Sequence, residues 1–216
     1  MQRSLKKLAT YSVYAREGAA GTVANLYVQE RQWVIRYVAV ATSEADRPVL
    51  LSPIGIAGAS WDERRLLAAC GTADLLGAPQ APEGCRIPRR LEVAVNRHYG
   101  LLPYWLGMNL WGNSDRPQAL RGAKIEDHVG EGDTRGEAPE TKSALELLSF
   151  RVRGGNGEAW VLRDLLFDER TWQLTGMVVA QQEQRSRLLE IAEGTVGRVS
   201  WTGRTIEVRP DEELSS

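Results

Sequence analysis

Cys70, Cys85, His98 and His128 are the whole supply of thiol and imidazole in this chain of 216 residues. The cysteines do not form a Cys-x-x-Cys pair, and four ligands so scattered make no recognisable zinc set. The paired acids Asp62-Glu63 and Asp168-Glu169 fall at expected turns, where carboxylates are ordinarily solvated. Acid–base work would require them buried and perturbed. Gly154-Gly155-Asn156-Gly157 has the glycine content of a phosphate loop, but no lysine or helix follows it, so it reads as a hairpin turn. No Gly-x-Ser-x-Gly or His-Glu-x-x-His motif occurs. The expectation is no catalytic residue, no cofactor or cofactor-binding residue, and no metal ligand. The chemistry these residues favour is contact. Tyr99, Tyr104, Trp105 and Trp111, with Leu101, Leu102, Met108 and Leu110, concentrate aromatic and aliphatic surface just before a polar stretch. They form the candidate interaction surface, with Trp111 at its open end as the foremost anchor. Packing of the same residues on the chain's own domains is the competing expectation.

Composition narrows the partners. At 43% hydrophobic and 25% charged, the sequence is that of an ordinary globular chain. A net charge of −1 and an isoelectric point near 6.2 give no basic footprint, so no nucleic acid is expected. No apolar run reaches the length of a membrane span, and Arg36 interrupts the best candidate, so no membrane insertion is expected. MQRSLKK lacks an apolar stretch behind its basic residues, which reads as cytoplasmic, with unpaired cysteines.

The elements that must hold the aromatic cluster come in two copies. ERQWVIRY at 30–37 returns as ERTWQLTG at 169–176, and Trp33 and Trp172 lie 139 positions apart. The same offset pairs Leu8 with Leu147, Tyr11 with Phe150, Gly18 with Gly157 and Leu26 with Leu165. Leu50-Leu51 reads against Leu188-Leu189 and Ser60-Trp61 against Ser200-Trp201, with one-residue slips in opposite directions. A register held over roughly sixty residues marks a duplicated domain, each copy expected to have its own core. Superposing the halves should place Trp33 on Trp172 and Trp61 on Trp201.

Within each copy the pattern is short strands and turns. Val23, Leu26 and Val28 cannot share one face of a regular strand, which predicts a β-bulge near Ala24–Asn25. Leu162, Leu165 and Phe167 repeat the irregularity. The strand from Trp33 to Ala41 is apolar on both faces, which suits a curled sheet covered by another element. Thr202-Gly203-Arg204 reads as a hairpin turn whose glycine takes positive φ. Between the copies, Ile87-Pro88 opens a helix that Gly100 stops, with Leu91, Ala94, Val95 and His98 along one face. His98 there reads as a packed or half-exposed side chain. Gly112–Thr141 is rich in Gly, Pro, Asp and Glu and reads as a mobile linker.

The recurring pattern resembles the PRC-barrel family, named after the cytoplasmic domain of the photosynthetic reaction centre H subunit. The residues that carry it are SLKKLATYSVYA at 4–15, Gly18 to Gly21, Trp33–Tyr37, VLLSP at 49–53, Ser60-Trp61, and the Tyr-Gly-x-x-Pro-Tyr-Trp segment Tyr99–Trp105. The resemblance implies a mainly β fold with two small PRC-type β-barrels in tandem, joined by a short helix and an irregular linker. Expected divisions are 1–76 (first barrel), 77–111 (helix and aromatic connector), 112–142 (flexible linker) and 143–216 (second barrel). It also implies a non-catalytic protein-binding or assembly module with a protein partner, a homodimer being compatible. Association with a membrane or a photosynthetic-type electron-transfer complex is one sub-case. A small-ligand binder or enzyme using the inter-barrel cleft is the alternative, and an RNA- or ribosome-associated factor the second. Where many members carry acids, this chain has Asn25 and Gln29, although the second copy keeps Asp164 and Asp168.

Overall fold

The computed structural model describes residues 1–84, 86–121, 141–154, 159–182 and 188–209. The chain is mainly β, arranged as two sheets, one of which is a half-barrel. In the first copy β1 (Gln2–Ser4) leads into the one-turn helix α1 (Leu5–Leu8), followed by β2 (Ser12–Ala15), β3 (Gly18–Gln29), β4 (Val34–Ala41), β5 (Val49–Leu51), β6 (Ile56–Ser60) and β7 (Arg65–Ala68). Then come α2 (Thr72–Leu76), β8 (Arg86–Ile87) and α3 (Arg89–Tyr99). The second copy opens with β9 (Thr141–Ser143) and α4 (Ala144–Leu147). It continues through β10 (Arg151–Arg153), β11 (Ala159–Asp168), β12 (Leu174–Gln181), β13 (Leu188–Ala192), β14 (Val196–Ser200) and β15 (Thr205–Val208).

The sheet orders are β5-β4-β3-β2-β7-β6 and β13-β12-β11-β10-β15-β14, the same path taken twice. The expected bulge is present in both: register slips between Val23 and Asn25 on β3 and between Leu162 and Asp164 on β11. Each slip lets all three apolar residues of its strand turn inward. The repeat register needs one correction. Val38 pairs with Leu51 and its equivalent Met177 pairs with Ile191, so Leu51 corresponds to Ile191 and not to Leu189. A single extra residue between β12 and β13 then explains both this shift and that of Trp61 to Trp201. The hairpin turns also differ from expectation. Positive φ falls on Arg64 (55°) and Arg204 (51°), the last residue of each four-residue loop, and Gly203 is not in that region.

The copies do not keep separate cores. Each leading strand joins the other copy's sheet: β1 pairs with β11 (Gln2 opposite Asp168) and β9 pairs with β3 (Thr141 opposite Gln29). The two pairings are equivalent under the repeat: Gln2 and Thr141 lie 139 positions apart, and so do Gln29 and Asp168. At the centre Val34 bridges Gln173, the Ile35 N–H donates to the Trp172 carbonyl (2.9 Å), and the Leu174 N–H donates to the Trp33 carbonyl (2.6 Å). Trp33 and Trp172 precede their strands, at φ 51° and 61°, and are not the first strand residues. That left-handed step turns each carbonyl toward the opposite copy, at a cost of about 1–2 kcal/mol per residue. One apolar cluster runs through both halves. A second, built from Tyr27, Tyr37, Ala39, Leu50 and Ile87 with Val95 of α3, covers the outer face of β4. The two-faced apolar pattern of that strand is thereby explained.

Of the segment expected as a mobile linker, 122–140 lies outside the described residues, but its ends are packed. Trp111 and Gly112 are buried, Pro117–Leu120 forms a 3-10 turn with Leu120 buried, and Thr141 is fully buried in β9. At those ends single apolar residues pin a short turn despite the polar composition around them.

The two tryptophans should respond unequally to truncation. Trp172 is 1% exposed and packs against Phe167 with ring centroids 5.6 Å apart, whereas Trp33 is half-buried. Trp172→Ala should lower unfolding free energy by about 3–5 kcal/mol and Trp33→Ala by clearly less. Chemical denaturation measures both; equal losses would contradict the asymmetry.

Candidate functional site

Arg36 is the only charged residue in β4, and it is almost fully buried. Removing a guanidinium from water demands compensation, because an isolated buried charge is severely disfavoured. Among the described residues no carboxylate lies within ion-pair distance of it. Instead Nε and Nη2 donate to Gln29 Oε1 (3.1 and 2.7 Å), Nη2 donates to Gln32 Oε1 (2.6 Å), and Nη1 donates to the Leu110 carbonyl. Its flat faces lie against two rings of the connector, with Cζ 3.8 Å from the Tyr104 centroid and 4.8 Å from that of Trp111. Desolvated stacks of this kind contribute about 2 kcal/mol each. Burial still lowers the Arg36 pKa to about 10, so it remains a cation at neutral pH.

A second charge sits beside it. Glu92 of α3 is 0% exposed; it pairs with Arg89 at 2.8 Å and accepts from the Tyr104 and Thr141 hydroxyls, both at 3.0 Å. Arg89 in turn stacks on Trp105, Cζ to centroid 3.8 Å. The buried side of α3 is therefore Glu92, Val95 and Asn96, rotated by about one position from the expected Leu91–Ala94–Val95–His98 face. The rotation follows from Glu92 turning inward to meet Arg89, Tyr104 and Thr141, which apolar periodicity cannot register. Burial raises the Glu92 pKa, against Arg89 and the two hydroxyls. Tyr37 lies in the same region, its hydroxyl buried without a hydrogen-bond partner among the described residues and its pKa raised well above the ordinary value by burial and then by Glu92.

These contacts fix the connector. Gly107 meets the backbone of Gly112 so closely that a Cβ would overlap it. Asn109 and Gly112 exchange backbone hydrogen bonds (2.9 and 3.2 Å), with Gly112 at φ 85°. On the tip so closed, Leu106 is 60% exposed and Met108 fully exposed. The four residues expected to form the interaction surface divide. Trp111 is 1% exposed and its indole N–H donates to the Thr171 carbonyl of the second copy (2.8 Å), and Tyr104 is buried. Trp111 is thus an internal anchor, since the second copy covers the face a partner would need. Trp105 is half-buried, and Tyr99 lies apart from Tyr104 and Trp105, at the end of α3.

Tyr99 instead lines a cavity of about 440 Å³ with Cys70, Asp74, His98, Arg16 and Arg121. Among the described residues, its lining belongs to the first copy and to the segment between the copies, with none from the second copy. His98 is exposed, and its Nε2 lies 2.6 Å from the Asp74 carbonyl, which can only accept, so Nε2 carries the proton. Cys70 is half-buried, and burial raises its thiol pKa, the opposite of nucleophilic activation. Of the remaining sequence candidates, Asp62 and Glu63 are exposed. Asp168 is not simply solvated. Partial burial raises its pKa, but hydrogen bonds from Thr171 and the N-terminal ammonium outweigh that and hold it low. Cys85, His128 and Gly155–Gly157 lie outside the described residues. Sequence reasoning missed Gln29, Gln32, Arg89 and Glu92; the one usable signal was Arg36 within an otherwise apolar strand.

No family model matches the sequence, and no match was found among the curated proteins.

Glu92 should control both stability and its pH dependence. Glu92→Ala leaves Arg89 and two hydroxyls unpartnered, and should cost about 3–5 kcal/mol. A carboxyl with a raised folded pKa contributes stability that is full below the unfolded value near 4.5 and lost as pH rises through the folded value. Glu92→Gln cannot titrate. Parent stability relative to Glu92→Gln should therefore fall as pH rises across that window and level off above it. A rise would show that Arg89 outweighs burial.

Proposed function

We propose that this chain is a non-catalytic protein-docking module of the PRC-barrel type, built from two small β-barrels in tandem, with the connector tip as its partner-binding surface. The barrel reading is supported by the identical path of the two sheets, the half-barrel curvature and the motifs SLKKLATYSVYA, Trp33–Tyr37 and Ser60-Trp61. The observation that carries the docking reading is the exposure of Leu106 and Met108 on a turn that is otherwise locked. Single exposed apolar residues on a surface need no explanation. Here two flank a glycine pressed against backbone, and the turn is anchored by Arg36 and Arg89 through Tyr104, Trp105 and Trp111. A partner then meets apolar side chains without having to order their backbone, which is the main entropic cost of loop-mediated binding. Methionine suits that role because its unbranched, polarizable side chain adapts to a facing surface. The occupant is a protein with a shallow apolar recess.

The test places a photoreactive side chain at position 108 in cells of the native host. One protein should be crosslinked, and the product should disappear with Leu106→Asp but persist with Leu188→Asp, which alters an exposed leucine on β13. All variants should melt alike. A crosslink indifferent to Leu106→Asp, or abolished equally by Leu188→Asp, would refute the tip as the docking surface.

A further inference from the structure

The two copies treat one equivalent sheet edge differently. At the outer edge of β5, Val49 bridges Gln80, the Leu50 N–H donates to the Pro79 carbonyl (2.9 Å) and the Ala81 N–H donates to the Pro48 carbonyl (2.7 Å). An extended piece of the segment between the copies thus lies antiparallel along that edge, and Val49, Leu50 and Leu51 are each 0% exposed. β13 holds the same place in the second copy, where Glu190 faces Val178 as Leu50 faces Ala39. The Ile191 carbonyl lies against Gly176 of β12, so the backbone groups of Glu190, one residue away, point off the sheet. Among the described residues no backbone group meets the Glu190 N–H or the Leu188 carbonyl, the counterparts of the Leu50 N–H and the Pro48 carbonyl. β13 is also longer than β5, five residues against three, with Leu188 61% exposed and Leu189 half-buried. An uncovered edge of this kind is a template for a further strand.

We infer that the outer edge of β13 binds an extended segment of a partner protein, which adds as an antiparallel strand with an apolar residue opposite Leu189 and a basic residue opposite Glu190. The register is the one Gln80 takes against Val49. The Glu190 N–H donates to the carbonyl of the basic residue, and the Leu188 carbonyl accepts from the N–H of the residue that follows the apolar one. Main-chain bonds give such a strand its affinity, and its side chains give it selectivity. Leu189 packs against the core, so the residue opposite it extends an apolar face. Glu190 accepts from the Gln2 amide (3.1 Å) and has no cation within ion-pair distance among the described residues, so its carboxylate favours a positive charge directly opposite. A twofold pair of β13 strands centred on Glu190 would set two carboxylates face to face, which disfavours a second copy in that register. The edge belongs to the second copy and takes no part in the docking reading at the connector tip.

The experiment follows amide hydrogen exchange in the full chain by NMR. Without a partner, the Glu190 amide should exchange about tenfold or more faster than the Leu50 amide, whose N–H is bonded to Pro79. The peptide acetyl-Thr-Ile-Lys-Val-Val-Thr-amide, with its first valine opposite Leu189, should slow exchange at Glu190 saturably and leave Leu50 unchanged, because occupancy follows mass action. Replacing its second valine by proline removes the N–H that meets the Leu188 carbonyl and should abolish the protection. Replacing its lysine by glutamate should weaken protection about fivefold or more, and Glu190→Lys in the chain should reverse that preference. A Glu190 amide as slow as that of Leu50 in the chain alone would show the edge already covered and overturn the assignment. Slowing that grows with chain concentration would show a second copy as the occupant instead. No protection by the lysine peptide, equal protection by the proline peptide, or a preference unmoved by Glu190→Lys each overturns it as well.

Discussion

The pairing of Val34 with Gln173, closed by the Ile35–Trp172 and Leu174–Trp33 backbone hydrogen bonds, is the constraint on which the rest of the molecule depends. It makes the two copies neighbours along their long strands, so each can lend its opening strand to the other. Once β1 lies on β11, Ser4 donates to Asp164 and Arg3 pairs with Glu169 at 2.6 Å. Once β9 lies on β3, Ser143 and Asn25 exchange hydrogen bonds and Lys142 pairs with Glu30 at 3.3 Å. Arg3 then covers Trp61 and Lys142 covers Trp201, at 4.6 and 4.7 Å from the ring centroids. Backbone, cap, ion pair and cation–π contact all repeat with the sequence, which is why the bulge residue is polar in both copies. Asn25 and Asp164 each bind the N–H of the following residue as well as the incoming serine.

The same exchange explains the buried charges. Thr141 reaches Glu92 only because β9 belongs to the first sheet, and Trp111 reaches Thr171 only because the second copy stands close. The connector is thus held from both sides. A buried ion pair is weak evidence for net stabilisation, because desolvation offsets most of the attraction. What Arg36 and Glu92 supply is a fixed geometry: each has several partners at hydrogen-bond distance, and a shift of the connector would strand all of them together. Hydrophobic packing alone would tolerate sliding.

The sequence exposed the periodic part of this design and concealed the rest. The repeat, the bulge, the Gly100 stop at φ 63° and the two-faced strand were legible because each is written in apolar spacing or in a residue with special backbone freedom. The exchange of β1 and β9 was not, since a three-residue strand pairs with whatever edge lies nearest and no local signal names it. The rotation of α3 was hidden for a different reason: Glu92 looks like a solvent residue until Arg89, Tyr104 and Thr141 are known to converge on it. Trp111 was read as an anchor for a partner, and the group it meets is the Thr171 carbonyl of the chain itself. Glycine likewise gave a misleading signal at 203, where the left-handed residue is the neighbouring arginine.

Duplication gives the chain two of almost everything except the segment between the copies. Arg36 has Thr175 as its equivalent on β12, and no second connector exists for that position to hold. The asymmetry therefore begins at one position in one strand. The buried guanidinium recruits Tyr104 and Trp111, these fix the turn bearing Leu106 and Met108, and α3 ends at the cavity containing Tyr99 and Arg121. Exposed apolar tip and cavity both lie on the first copy and its connector, while the second copy acts as the support that keeps Trp111 covered. A chain of this construction is asymmetric where the connector docks, even though its framework is twofold.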